Sequence, residues 1–129
     1  MVSHPQSTVH ALLAACERRP RHPFLLFEGR RLSFADVRDA AARWAALYRR
    51  RGVAKGDRVA LFHSNSPEFV ASYLGAHMAG AIVVLVNTQY RQTELRHILS
   101  DSGARLVVTE ERLLPELERV RADLDPGLQ

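Results

Sequence analysis

Between Gly80 and Asn87 the chain reads Ala-Ile-Val-Val-Leu-Val, six apolar residues of which four are β-branched. The run is too short to be a stable helix and has no polar side, so it predicts a strand over 81–86 buried on both faces of a sheet. A strand of that kind needs a helical layer above and below it. The flanking sequence supplies both. Apolar runs at 59–62 and 106–109 predict two more strands. Ser66-Pro67-Glu68 combines a cap, a first-position proline and an early acid, which opens a helix reaching about Ala79, with Gly80 as its stop. A second helix is predicted over 92–100, with Leu95, Ile98 and Leu99 inward and Gly103 ending it. A last one is expected near 114–124, with Pro115 in its first turn. Strand and helix alternating through short loops predict a parallel sheet with right-handed crossovers.

The front of the chain follows another pattern. Thr8 is placed to cap a helix whose Val9, Leu12, Leu13 and Cys16 form one apolar stripe, ended by Pro20 and Pro23. Residues 24–27, the turn Glu28-Gly29-Arg30 and residues 31–33 predict a short hairpin. Ser33 with Asp36 three residues later reads as a capping box opening a long helix. Phe34, Val37, Ala41, Trp44 and Tyr48 should face its core side. Arg49, Arg50 and Arg51 suit the negative helix end, and Gly52 accepts the left-handed turn beyond it. The fold class is therefore α/β: a partial doubly wound parallel sheet with helices on both faces, preceded by a helix and a short hairpin. Trp44, Leu61, Leu74, Val84 and Leu99 are the expected core.

A length of 129 residues fits one compact domain or a piece of a larger one. The formal charge is +4, carried almost wholly by arginine, since Lys55 is the only lysine. The arginines fall in short runs without interleaved aromatics, which argues for a solvated surface and against nucleic-acid binding. One cysteine excludes an internal disulfide and suits a reducing cytoplasm. No apolar stretch is long enough to span a membrane, and residues 1–6 lack the apolar core of a signal peptide.

The sequence carries few motifs of known chemistry. There is no Walker loop and no GxGxxG after a strand. The six histidines, His4, His10, His22, His63, His77 and His97, show no metal-ligand spacing, so no metal site is expected. Ser66 reads as a helix cap rather than a nucleophile, and Cys16 as a packed thiol. Position is more informative. Ligands of open parallel sheets gather outside the carboxyl ends of the strands. Those ends are His63-Ser64-Asn65, Asn87-Thr88-Gln89-Tyr90 and Thr109-Glu110. The segment after Val86 stands out because it leaves a buried strand; a ligand role and a turn-forming role both remain open for it.

Several segments together resemble the adenylate-forming superfamily, in particular acyl-CoA synthetases and fatty-acid–CoA ligases. Leu32-Ser33-Phe34-Ala35-Asp36-Val37 is similar to its opening motif. Gly52-Val53 with Gly56-Asp57-Arg58-Val59-Ala60 resembles its GDRVA segment, and Asn65-Ser66-Pro67-Glu68 the helix start that follows. Ala79-Gly80-Ala81 with Asn87-Thr88, and Glu94-Leu95 with Asp101-Ser102-Gly103-Ala104-Arg105, complete the order. The resemblance implies an enzyme that activates a carboxylic acid with ATP and magnesium as an acyl-adenylate and passes the acyl group to coenzyme A. It implies that residues 1–129 are the N-terminal portion of the large AMP-binding domain. The phosphate loop, the ribose-binding aspartate and the lysine of the C-terminal domain find no counterpart here, so no catalytic residue is assigned. The chain alone is expected to be inactive, to bind none of these cofactors and to self-associate. By the same resemblance, Thr88, Gln89, Tyr90 and Arg112 occupy the places of coenzyme A contacts. The alternative is a stand-alone α/β binding or interaction module without catalysis.

Overall fold

A computed structural model describes residues 7–129; the polar start with His4 lies outside the described residues. Helix α1 (Thr8–Arg18) is capped by Ser7, whose hydroxyl accepts the His10 N–H, so the cap falls one residue before the expected Thr8. Strands β1 (Pro23–Phe27) and β2 (Arg30–Ser33) pair antiparallel as the hairpin. Its two-residue turn needs positive φ at both Glu28 (46°) and Gly29 (78°), which glycine accepts freely. Helix α2 (Phe34–Arg50) begins with the full capping box: the Asp36 N–H donates to Ser33 Oγ at 3.1 Å and the Ser33 N–H to Asp36 Oδ2 at 2.8 Å.

Strand β3 (Arg58–Phe62), helix α3 (Pro67–Met78), strand β4 (Ile82–Leu85), helix α4 (Gln92–Asp101), strand β5 (Leu106–Thr109) and helix α5 (Leu114–Glu118) follow. The strands form a parallel sheet in the order β4-β3-β5, with Leu61 opposite Leu85 and Phe62 opposite Thr109. Alternate residues of β3 point to opposite faces. Val59 and Leu61 pack with Tyr48 and Ala76 from α2 and α3. Ala60 and Phe62 pack with Leu95, Leu99, Leu113 and Val120 on the other face. The doubly wound expectation thus holds, with a helical layer on each side.

The first layer is held by a close helix pair. A Cβ added at Gly75 would lie 2.5 Å from Trp44 Cβ and 2.7 Å from the Ala41 carbonyl oxygen, so only glycine lets α3 approach α2 this closely. Tyr48 is fully buried against the same layer and donates its hydroxyl to the Ser72 carbonyl at 3.1 Å. Burial pushes its phenol well above the ordinary range, so it stays a donor.

Three expectations need correction. The 81–86 run is not buried on both faces: β4 is an outer strand, with Ile82 54% and Leu85 58% exposed, because among the described residues it has a neighbour on one side only. Of the expected core, Leu61, Leu74 and Leu99 are buried, whereas Val84 lies on that same outer strand and Trp44 on the flank of α2, and both are half-buried. The last helix is shorter than 114–124. It is one α segment between 3-10 turns at Glu111–Leu113 and Arg121–Asp123. Leu113, Leu117, Val120 and Leu124 still face the core, so the side-chain period survives while the hydrogen bonds tighten to i→i−3. The outer edge of β5 is met by Gln129, whose N–H donates to the Arg105 carbonyl at 3.0 Å and whose carbonyl accepts the Val107 N–H at 2.8 Å.

Candidate functional site at the carboxyl ends of the strands

The three parallel strands point their carboxyl ends the same way, so the segments after Phe62, Val86 and Thr109 share one end of the sheet. Two hydrogen-bonded groups form there. The first joins β3 to β5. Glu110 Oε2 accepts the Ser64 hydroxyl at 2.5 Å and the Ser64 N–H at 3.0 Å, and His63 Nδ1 lies 3.2 Å from the same oxygen. His63 Nδ1 also lies 2.7 Å from the Ser64 carbonyl. Both partners of that nitrogen are acceptors, so the network places a proton on Nδ1. Glu110 Oε1 takes both Nε and Nη2 of Arg112 at 2.9 Å. The Ser64 hydroxyl is the largest influence holding the Glu110 carboxyl below its usual range; burial opposes this, while the Ser64 amide, Arg112 and His63 add to it.

The second group closes the segment after β4. Asn87 Oδ1 accepts the Gln89 N–H at 2.9 Å and the Asn87 carbonyl accepts the Tyr90 N–H at 3.0 Å. Arg91 folds back so that Nη1 reaches the carbonyls of Thr88, Gln89 and Tyr90 at 3.4, 3.2 and 3.0 Å. Its own N–H donates to Glu94 Oε2 at 3.2 Å, which fixes the start of α4. Gln89 is exposed, Thr88 half-buried, and Tyr90 packs against the core below α4. Tyr90 also lines a groove along α4 with Glu94, His97 and Asp101.

Thr88, Gln89 and Tyr90 therefore follow β4 and Arg112 follows β5, at one end of the sheet but beyond the two strands that flank β3. Arg112 is tied to Glu110 and the 88–90 segment to Arg91. Reading by position pointed to His63, Ser64 and Glu110 but not to the carboxylate as their hub, because only folding brings residues 63–64 and 110 together. Arg91 was missed outright; its spacing to Glu94, three residues on, was the available signal for a helix start.

Other singled-out residues are structural. Ser66 Oγ accepts the Phe69 N–H at 3.1 Å, a helix cap. Cys16 is buried, donates to the Phe34 carbonyl at 3.2 Å, and has its thiol pushed up by burial. The Gly56-Asp57-Arg58 segment lies at the opposite end of the sheet. There Asp57 Oδ2 accepts the Ala54 N–H at 2.8 Å and Arg58 Nε donates to the Ser102 carbonyl at 2.8 Å, so both side chains brace loops.

Residues 12–128 match the family described as AMP-binding enzyme. The chain is 40% identical over 96 residues to the long-chain-fatty-acid–CoA ligase FadD13 of Mycobacterium tuberculosis, covering 74% of this chain and 19% of that protein. It is 34% identical over 118 residues to a long-chain-fatty-acid–CoA ligase of Bacillus subtilis, covering 91% of this chain and 21% of that one. The crystal structure of the anthranilate CoA ligase AuaEII in complex with anthranoyl-AMP superposes with a TM-score of 0.91 at 29% identity, over 98% of this chain and 24% of that chain. The chain spans about a fifth of the length of the curated relatives it matches.

Proposed function

The chain belongs to the AMP-binding enzyme family, and from that premise we propose that its 129 residues form the N-terminal portion of the large AMP-binding domain of an ATP-dependent acid–thiol ligase. In such an enzyme a carboxylate oxygen attacks the α-phosphorus of ATP and pyrophosphate leaves. The thiol sulfur of coenzyme A then attacks the acyl carbon of the adenylate, and AMP leaves. Magnesium, when bound, offsets the charge of the triphosphate. No residue of this sequence is assigned to the adenylation chemistry, and the 129 residues alone are expected to bind no ATP and form no adenylate.

The role proposed for this chain is in the second half-reaction. Thr88, Gln89 and Tyr90 line the approach of coenzyme A, and Arg112 meets one of its phosphates. The observation that carries this reading is the common placement of these residues at the carboxyl end of a parallel sheet, where α/β folds hold ligands. The donor set fits the cofactor: Arg112 is 64% exposed and, beside its pair with Glu110, keeps N–H donors for charge-assisted bonds. The test is kinetic, on the full-length protein. Arg112→Ala should raise the KM for coenzyme A about five- to tenfold, the loss of roughly one charge-assisted bond, while pyrophosphate exchange reports the first half-reaction separately. Collapse of exchange with an unchanged KM for coenzyme A would overturn the assignment.

A further inference from the structure

One carboxylate sits between the buried strand ends and the exposed guanidinium. Glu110 is only 18% exposed while Arg112 is 64% exposed. Its two oxygens divide the work. Oε2 is fixed inward by the Ser64 hydroxyl at 2.5 Å and the Ser64 amide at 3.0 Å, with His63 Nδ1 at 3.2 Å. Oε1 faces Arg112 and receives Nε and Nη2, both at 2.9 Å. The Ser64 hydroxyl and amide, just beyond the end of β3, fix the carboxylate, and the carboxylate in turn restrains the guanidinium.

Resting on the coenzyme A reading of Arg112, we infer that Glu110 is a positioning residue for the thiol cofactor: it anchors one edge of the Arg112 guanidinium and leaves the other edge for a phosphate. A guanidinium carries five N–H donors in a rigid fork. Glu110 takes one from Nε and one from Nη2. The two on Nη1 and the second on Nη2 remain, and together they form the edge that pairs bidentately with phosphate oxygens. A free arginine must give up many rotamers when it binds. Here that freedom is surrendered on folding, so less is lost when the cofactor arrives. The negative charge of Glu110 does not repel the phosphate at full strength, because the Ser64 amide and hydroxyl already donate to it from the other side.

The experiment uses the full-length ligase, with coenzyme A and ATP varied in turn. Glu110→Gln keeps an acceptor for Ser64 but weakens the hold on Arg112. It should raise the KM for coenzyme A about threefold without raising the KM for ATP. In the Arg112→Ala background the same substitution should add nothing, because there is no guanidinium left to position. If Glu110→Gln raises the KM equally in both backgrounds, it acts by loosening the strand ends and the inference is overturned. If Arg112→Ala raises the KM and Glu110→Gln does not, the inference fails while the coenzyme A reading stands. If Arg112→Ala itself has no effect, both fail. Should Glu110→Gln not fold, Arg112→Lys carries the test. An ammonium cannot hold Glu110 with one edge and offer another to phosphate, so the KM must rise toward the alanine value. A KM unchanged by lysine overturns the inference.

Discussion

Strands β3 and β4 lie side by side, are both apolar, and run parallel in register, yet they occupy different environments. In β3, Val59, Ala60, Leu61 and Phe62 are all 0% exposed. In β4, Ile82 and Leu85 are more than half exposed. Composition does not separate them, since β4 is the richer in β-branched residues. Position does. β3 is paired on both edges and covered on both faces, whereas β4 has one strand neighbour among the described residues. An apolar run records the burial that a strand is built for; its place in the sheet decides how much of that burial this chain supplies. The same contrast reaches the candidate site. The end of β3 is clasped to β5 through Glu110, while the end of β4 is shaped by its own turn and by Arg91.

The largest expected effect lies in β3. Leu61→Ala should cost about 2–5 kcal/mol in denaturant unfolding, the range for truncating a fully buried leucine. A loss under about 1 kcal/mol would show that β3 is not the centre of the core. Gly75→Ala tests the layer that covers β3. The added methyl has no room between Trp44 and Ala41, so a cost of about 1–3 kcal/mol is expected from overpacking. A neutral result would mean that α2 and α3 can part without loss.

The clasp between β3 and β5 should be sensitive to acid. A carboxyl whose folded pKa lies below its unfolded value contributes stability above the unfolded value and loses it as pH falls through the folded one. Glu110 is shifted in this direction, chiefly by the Ser64 hydroxyl. Asp36, held by the Ser33 amide, and Glu68, held by Arg30, are shifted the same way. Stability should therefore fall as pH drops below the ordinary glutamate range. Glu110→Gln should remove one part of that dependence, read as a shallower slope of melting temperature against pH. An unchanged slope would show that the clasp adds nothing to folding.

The smallest effect on folding belongs to β4. Ile82→Lys should change unfolding free energy by no more than about 0.5 kcal/mol, as at other exposed sites. We propose that the isolated chain self-associates through this apolar edge. Sedimentation should then show the wild-type chain forming larger species at high concentration and the lysine variant remaining monomeric. If both sediment alike, the exposed edge is not an association surface. A cost at Ile82 as large as that at Leu61 would dissolve the contrast between the two strands.

Local chemistry made most of the architecture legible. Ser33 with Asp36, Ser66 with Pro67, and Gly80 and Gly103 each specify a helix boundary through a bond or backbone angle formed within a few residues. The short apolar runs between those boundaries left a parallel sheet as the consistent solution, and the carboxyl-end segments followed from it. Other features depended on contacts distant in sequence. The exposure of Ile82 and Leu85 depends on which strands flank β4. The half-burial of Trp44 depends on how Gly75 seats α3 against α2. The tightening of the last helix is by contrast local, but its i→i−3 hydrogen bonds leave no mark on the side-chain period. At the site, the sequence placed Thr88, Gln89, Tyr90 and Arg112 by resemblance and by strand ends. Only the fold set Glu110 between Ser64 and Arg112, because residues 46 positions apart meet there by pairing of parallel strands, and no local pattern encodes that meeting.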